Sequence, residues 1–124
     1  MNRIIKFRGK SLNTKMWVYG DLNHKGKRTF IEYEVNPETI GQFIGLCDKN
    51  EKEIYEDDIL KVYIGNNKYE LRKIYWWQGA YWTKRVKSYG PYGEEPQTLS
   101  FYFTNSIKVE VIGNIHENHE FIKP

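Results

Sequence analysis

Along most of the chain apolar and polar positions alternate with a period of two, the signature of half-buried strands. Ile5 and Phe7 fall on one side of a first strand, with Lys6 and Arg8 on the other. Met16 to Leu22 alternates in the same way, and so does the stretch from Thr29 to Val35. Asn36-Pro37 ends that third stretch, because proline lacks a backbone donor and fixes its own φ. Residues 38–44 read as short and extended, 47–52 as a polar turn and 59–64 as a clear strand. Gly65-Asn66-Asn67 is a tight-turn signal that leads into a long strand over 68–77. Gln78-Gly79 turns the chain into 80–86, and residues 87–97 form the longest loop. Strands over 98–103 and 107–112 complete the pattern, followed by a tail through Ile115 and Phe121. Polar residues 23–27 read as a hairpin loop. Helix has room only in short pieces, 38–45 and 51–58, and neither carries three turns of helical periodicity.

Many short strands separated by Gly, Asn and Pro turns predict an all-β fold with at most short helical turns. The expected architecture is a small barrel, an SH3-like barrel or a sandwich. The length, 124 residues, predicts one domain spanning 1–124. Ten Tyr, six Phe and four Trp supply much of the burial in a chain that is only 40% apolar.

Composition narrows function by exclusion. The formal charge is +3, a mild basic bias that permits an anionic partner without requiring one. Cys47 is the one cysteine, so no internal disulfide forms and nothing relies on an oxidising compartment. The charged start MNRIIKFRGK and the lack of a long apolar run predict a chain with no signal peptide and no membrane span, made and kept inside a cell.

The segment TIGQFIGLCDKNEKEIYEDDI (39–59) resembles the central motif of the YopX family, small proteins of phages and prophages. IIKFRGK (4–10), MWVYGDL (16–22) and EVIGNIHEN (110–118) are similar to its flanking motifs, in the same order. The middle stretch, 66–105, carries little of the resemblance. Ile44 stands where the family usually has Thr. Glu51 and Asp57 stand at turn positions where it usually has Gly; Gly there suggests φ > 0, which costs most other residues roughly 1 kcal/mol and is tolerable for Asp57, less so for Glu51 unless the turn shifts. The resemblance implies a β-rich fold of small-barrel character and a phage or prophage origin, and with it the cytoplasm of a bacterial host cell. It implies no activity, catalytic residue or cofactor.

Three constellations are candidates for chemistry. Between residues 47 and 58 stand six acids (Asp48, Glu51, Glu53, Glu56, Asp57 and Asp58) against two lysines. Clustered carboxylates suit a divalent cation, but the spacing is not that of a calcium-binding loop, and turn-capping by Asp58 explains it better. HENHE (116–120) lacks the spacing of a zinc protease and reads as a polar tail, so no metal site is expected. The third constellation is basic and aromatic. From 68 to 89 there are six cations and one acid, Glu70, interleaved with rings. Arg72, Lys73, Tyr75, Trp76, Trp82, Lys84, Arg85 and Lys87 are its candidate binding residues. Such a surface fits a protein or self-association interface, where Tyr, Trp and Arg are enriched. It also fits single-stranded nucleic acid, through base stacking and phosphate neutralisation. In a strand Tyr75 and Trp77 face one way and Trp76 the other, so one set is expected in the core. Cys47 has no cation beside it to activate its thiol, and no nucleophile elbow or phosphate loop occurs.

The expectation is therefore a non-enzymatic accessory protein that acts through a protein partner or by self-association. The alternative is a nucleic-acid-binding module built on 68–89.

Overall fold

A computed structural model describes residues 3–65, 67–86 and 96–121. The strands are β1 (Phe7–Lys10), β2 (Trp17–Gly20), β3 (Asn23–Lys25), β4 (Arg28–Ile31), β5 (Tyr33–Glu34), β6 (Gly41–Cys47), β7 (Glu53–Tyr55), β8 (Asp58–Gly65), β9 (Lys68–Trp77), β10 (Ala80–Arg85), β11 (Gln97–Thr98) and β12 (Val109–Asn114). One helix, α1 (Leu99–Thr104), precedes β12 among the described residues. The fold is all-β, as the alternation predicts.

The strands make three antiparallel sheets, ordered β2-β1-β6-β7, β11-β10-β9-β8-β12 and β3-β4-β5. Each order is open, and no closed barrel forms among the described residues. The main core lies where the first two sheets meet. Ile44 and Ile54 from the four-stranded sheet pack with Leu60, Val62, Ile74 and Val109 from the five-stranded sheet, and Leu99 and Tyr102 of α1 close the cluster.

Turn chemistry places the strands. Ser11 Oγ accepts from the amides of Asn13 and Thr14, which folds the β1–β2 connection. Gly45, at φ +91°, sits in the register shift between the Phe43↔Tyr55 and Cys47↔Glu53 pairs, a bulge in β6. Gly41 runs so close to β7 that an added Cβ would come within 3.0 Å of the Glu56 carbonyl oxygen. Glu51 and Asp57 adopt φ of 64° and 69°, the left-handed turns that glycine would accept more readily.

Four expectations are corrected. The strand expected over 98–103 is helix α1. Its buried residues, Leu99 and Tyr102, stand three apart, and Asn105 caps its end on the Phe101 carbonyl. The strand expected over 29–35 is split, because the chain reverses at Glu32, with φ 60°, and pairs β4 with β5. Residues 23–25 are strand β3 instead of loop. The two candidate helices instead contribute β6, β7 and a single 3-10 turn, Pro37–Thr39, capped by Asn36 Oδ1 accepting from the Glu38 amide. Most of the expected loop 87–97, with Lys87, lies outside the described residues.

Candidate functional site

The basic aromatic segment folds as a hairpin. Gln78 and Gly79 have φ of 45° and 80°, a two-residue connection that pairs Trp77 with Ala80. That pairing fixes which side chains share a face. Tyr75 stands opposite Trp82 and Lys73 opposite Lys84, while Ile74 stands opposite Thr83 and Arg72 opposite Arg85. On the other side of β9, Tyr69 pairs with Tyr63 of β8, and Leu71 with Lys61.

Cross-strand partners point the same way, so the five-stranded sheet has two unlike faces. The inner face carries Leu60, Val62, Ile74, Thr83 and Val109, all buried. The outer face carries Lys61, Tyr63, Tyr69, Leu71, Lys73, Tyr75, Trp77, Ala80, Trp82 and Lys84, and every one of these is half-buried or exposed. Ile59 shares their parity but is fully buried, so the open surface begins at Lys61. Glu110, opposite Lys61 on β12, is the acid that the register adds to this face.

Rings and cations on the outer face are in contact. The Lys61 ammonium lies 4.3 Å from the Tyr69 ring centre and 5.3 Å from that of Tyr63. Lys49 reaches within 4.7 Å of the Tyr63 ring, and Lys84 within 5.5 Å of the Tyr75 ring. Trp77 and Trp82 meet edge to face at 5.9 Å, and the Trp82 indole donates to the Trp77 carbonyl. Tyr63 donates to Glu110 at 2.8 Å, which holds that carboxyl below its ordinary value.

The structure therefore divides the eight candidate residues. Lys73, Tyr75, Trp82 and Lys84 share the outer face. Arg72, only 5% exposed, is on the inner face, where it holds Glu70 at 2.8 Å and reaches the Thr83 carbonyl. Arg85 also binds Glu70, at 3.2 Å. Burial pulls the Glu70 carboxyl upward, but its bonds to Arg72 and Arg85 outweigh that and leave it lowered. These two arginines serve the core side and do not line the open face. Trp76 has the inner parity but lies at the end of β9, half exposed, against the edge of Tyr81 at 4.8 Å. Tyr75 and Trp77 thus face outward, but Trp76 is not core. Tyr69 and Trp77, rings of the same basic aromatic segment outside the eight, belong to the face as well, and so do Lys61, Tyr63 and Leu71, which the sequence reading did not single out. The alternation within 68–77 points to Tyr69, Leu71 and Trp77, whereas Lys61 and Tyr63 require the β8–β9 register.

The acidic segment disperses into separate structural tasks. Asp48 Oδ1 accepts from the amides of Asn50 and Lys52, and its Oδ2 accepts from the Val111 amide at 2.8 Å. The turn thereby covers the outer edge of β12. Asp58 Oδ2 accepts from the Tyr55 amide, the turn cap expected of it. Its Oδ1 meets the Arg8 guanidinium at 2.7 Å, and that guanidinium lies 4.5 Å from the Trp17 ring centre and 4.9 Å from that of Tyr55. Burial pushes the Asp58 carboxyl up, against the pull of Arg8. Glu53 pairs with Lys6, and Tyr81 donates to Glu56. Burial, with Glu56 alongside, pushes the Tyr81 phenol up to about 12.

The HENHE tail is structural as well. Glu117 accepts from the Trp17 indole at 2.6 Å and from Asn114, and pairs with Lys10 at 3.1 Å, which lowers its carboxyl to about 2. His116 rests on the Trp17 ring with Asp57 at 3.5 Å, and burial lowers its pKa. His119 turns back onto the His116 carbonyl. No group of three or more His, Cys, Asp or Glu converges among the described residues.

A family model described as YopX protein matches residues 9–123. The chain belongs to the YopX family. A crystal structure of protein EF1440 from Enterococcus faecalis is similar in fold, with a TM-score of 0.54 and 25% identity. The likeness covers 98% of this chain and all of that one. No curated protein matches the sequence. The stretches that carry the YopX resemblance meet where the sheets join, with Arg8, Trp17, Tyr55, Asp58 and Glu117 in one connected network. The outer face lies largely on the middle stretch, apart from that network. Among the described residues no helix is long and apolar enough to cross a membrane.

Proposed function

We propose that this YopX protein is a non-enzymatic binding module whose outer sheet face takes single-stranded nucleic acid. The reading is carried by the β8–β9–β10 register, which puts five rings and three lysines on one face of the sheet. Rings on a sheet offer stacking surfaces to bases of any sequence, and lysines between them neutralise phosphates. In the free protein Lys61 and Lys84 lie over the rings. A nucleic acid replaces both halves of those contacts, with base on ring and phosphate on lysine. The non-enzymatic part of the proposal draws support from the acids, which cap turns and pair with cations.

A labelled oligonucleotide titrated with protein at several salt concentrations tests this. If three lysines contact phosphate, log K falls against log salt with a slope of about −2. Absence of binding at low salt, or affinity indifferent to salt, contradicts the proposal.

A protein partner or self-association is the second reading. It is favoured by a separate hollow of about 400 Å³ beside the β1–β2 turn, lined in part by Leu12, Val18 and Tyr33. Leu12, Tyr33 and the neighbouring Met16 are exposed. Light scattering over a concentration series decides self-association: a mass that stays at 14.9 kDa removes it.

A further inference from the structure

The rings of the outer face are not evenly spread. Tyr63 and Tyr69 form one group, with Lys61 over both. Tyr75, Trp77 and Trp82 form another, with Trp82 opposite Tyr75 and edge-on to Trp77. Between the groups stand Leu71 and the cross-strand pair Lys73↔Lys84. Along β9 the sequence of the face is thus ring, apolar spacer, cation, ring, ring.

Across the strands the order is different. Tyr69 and Tyr63 end the ring series at β8, and on β12 the position beyond Lys61 is the acid Glu110. A phosphate backbone crossing the sheet at that end would run toward a carboxylate. Along β9 it would meet Lys61 at one end and the Lys73–Lys84 pair further on.

We infer that a single strand lies lengthwise along β9, anchored by bases at its two ends and by phosphate at Lys73 and Lys84 between them. This rests on the proposed nucleic-acid reading and gives it a footprint. Tyr69 and Tyr75 are six residues apart, about 20 Å at the rise of an antiparallel strand. A stacked strand advances about 3.4 Å per nucleotide, so spanning both ring groups takes about six nucleotides. A stretched backbone would need fewer, down to about four, the lower limit for sheet-borne single-strand sites.

A length series of oligothymidylates, from about two to about twelve nucleotides, reads this directly at low salt. Tryptophan fluorescence reports the Trp77 and Trp82 end, and anisotropy of an end label reports affinity. Affinity is expected to rise steeply up to four to six nucleotides, on the order of the ring-to-ring span, and then to flatten apart from statistical gains. Tyr69→Ala should lower affinity for the octamer about fivefold or more, the least that one lost stacking contact costs. The same variant should keep the tryptophan quenching that short oligomers produce. Flattening at two or three nucleotides, or Tyr69→Ala weakening short and long oligomers alike, overturns the lengthwise path while leaving the face as a nucleic-acid site. Loss of binding at every length overturns both. Because Tyr69 is 53% exposed, its replacement leaves the core intact, and circular dichroism of the variant verifies the fold.

Discussion

Arg72 and Lys73 are neighbours in sequence and both cationic, yet they occupy different physical worlds. Arg72 sits under the sheet with its planar donors on the Glu70 carboxylate and the Thr83 carbonyl. Lys73 stands on the outer face beside Lys84. The hairpin repeats the division across the strand, with Arg85 turned to Glu70. Arginine suits the buried role because its fork binds a carboxylate in fixed geometry, whereas lysine is a flexible, hydrated point charge better kept at a surface. A segment that looks like one basic patch is therefore two devices. One ties the sheet to its core and the other presents charge to solvent.

The difference is largest in stability. Arg72→Ala leaves Glu70 mostly buried with only Arg85 beside it. Urea unfolding should show a loss of roughly 3 kcal/mol, the low end for breaking a buried pair, since part of the partner remains. Lys73→Ala should stay within about 1 kcal/mol of the parent. Equal losses in the two variants would erase the distinction between the faces.

Next comes the ligand. Trp77 is 51% exposed at the end of β9, so Trp77→Ala should barely move the melting temperature. Its effect on a single-stranded oligonucleotide should be a loss of about 1–3 kcal/mol in affinity, the range for one stacking contact. Affinity unchanged in Trp77→Ala would remove that ring from the face's function.

The smallest effect is acid sensitivity, since it belongs to a partly exposed carboxyl at the junction of the sheets, where solvent screens the pairing. The Glu117 carboxyl has a folded pKa of about 2 against an ordinary 4.5. A depressed carboxyl adds stability that is fully present above its ordinary pKa and is lost as pH falls through the folded one. Stability should therefore drop between about pH 4.5 and pH 2, and Glu117→Gln should flatten that part of the curve. Asp58, raised by burial, works in the opposite direction, but it is common to both proteins and cancels in the difference. Parallel curves for parent and variant would rule out the pairing of Glu117 with Trp17 and Lys10 in solution.

Much of this fold is legible in the amino-acid order. The alternation from Lys68 to Trp77 marks β9, and Gln78-Gly79 marks its hairpin. The glycines missing at 51 and 57 are met by left-handed Glu and Asp. Helix α1 is not legible, because LSFYFT is apolar or aromatic at four of six positions and fits a strand as well as a single helical turn. What decides it is tertiary: Leu99 and Tyr102 fill a gap over the inner face. The candidate site was half legible. Counting Tyr75 opposite Trp82 through the turn separates Lys73 and Lys84 from Arg72 and Arg85. Lys61 and Tyr63 could not be found that way, because a register shift between Tyr63 and Gly65 breaks the count through the turn that joins β8 to β9.

The two faces make their sharpest contrast in amide and indole chemical shifts, followed by NMR as an oligothymidylate is added to the protein. The shifts should gather at Lys61, Tyr69, Lys73, Trp77, Trp82 and Lys84, leaving Leu60, Val62, Ile74 and Val109 nearly still. Shifts centred instead on Leu12, Val18 and Tyr33, or none at saturating oligonucleotide, would contradict the assignment of the outer face.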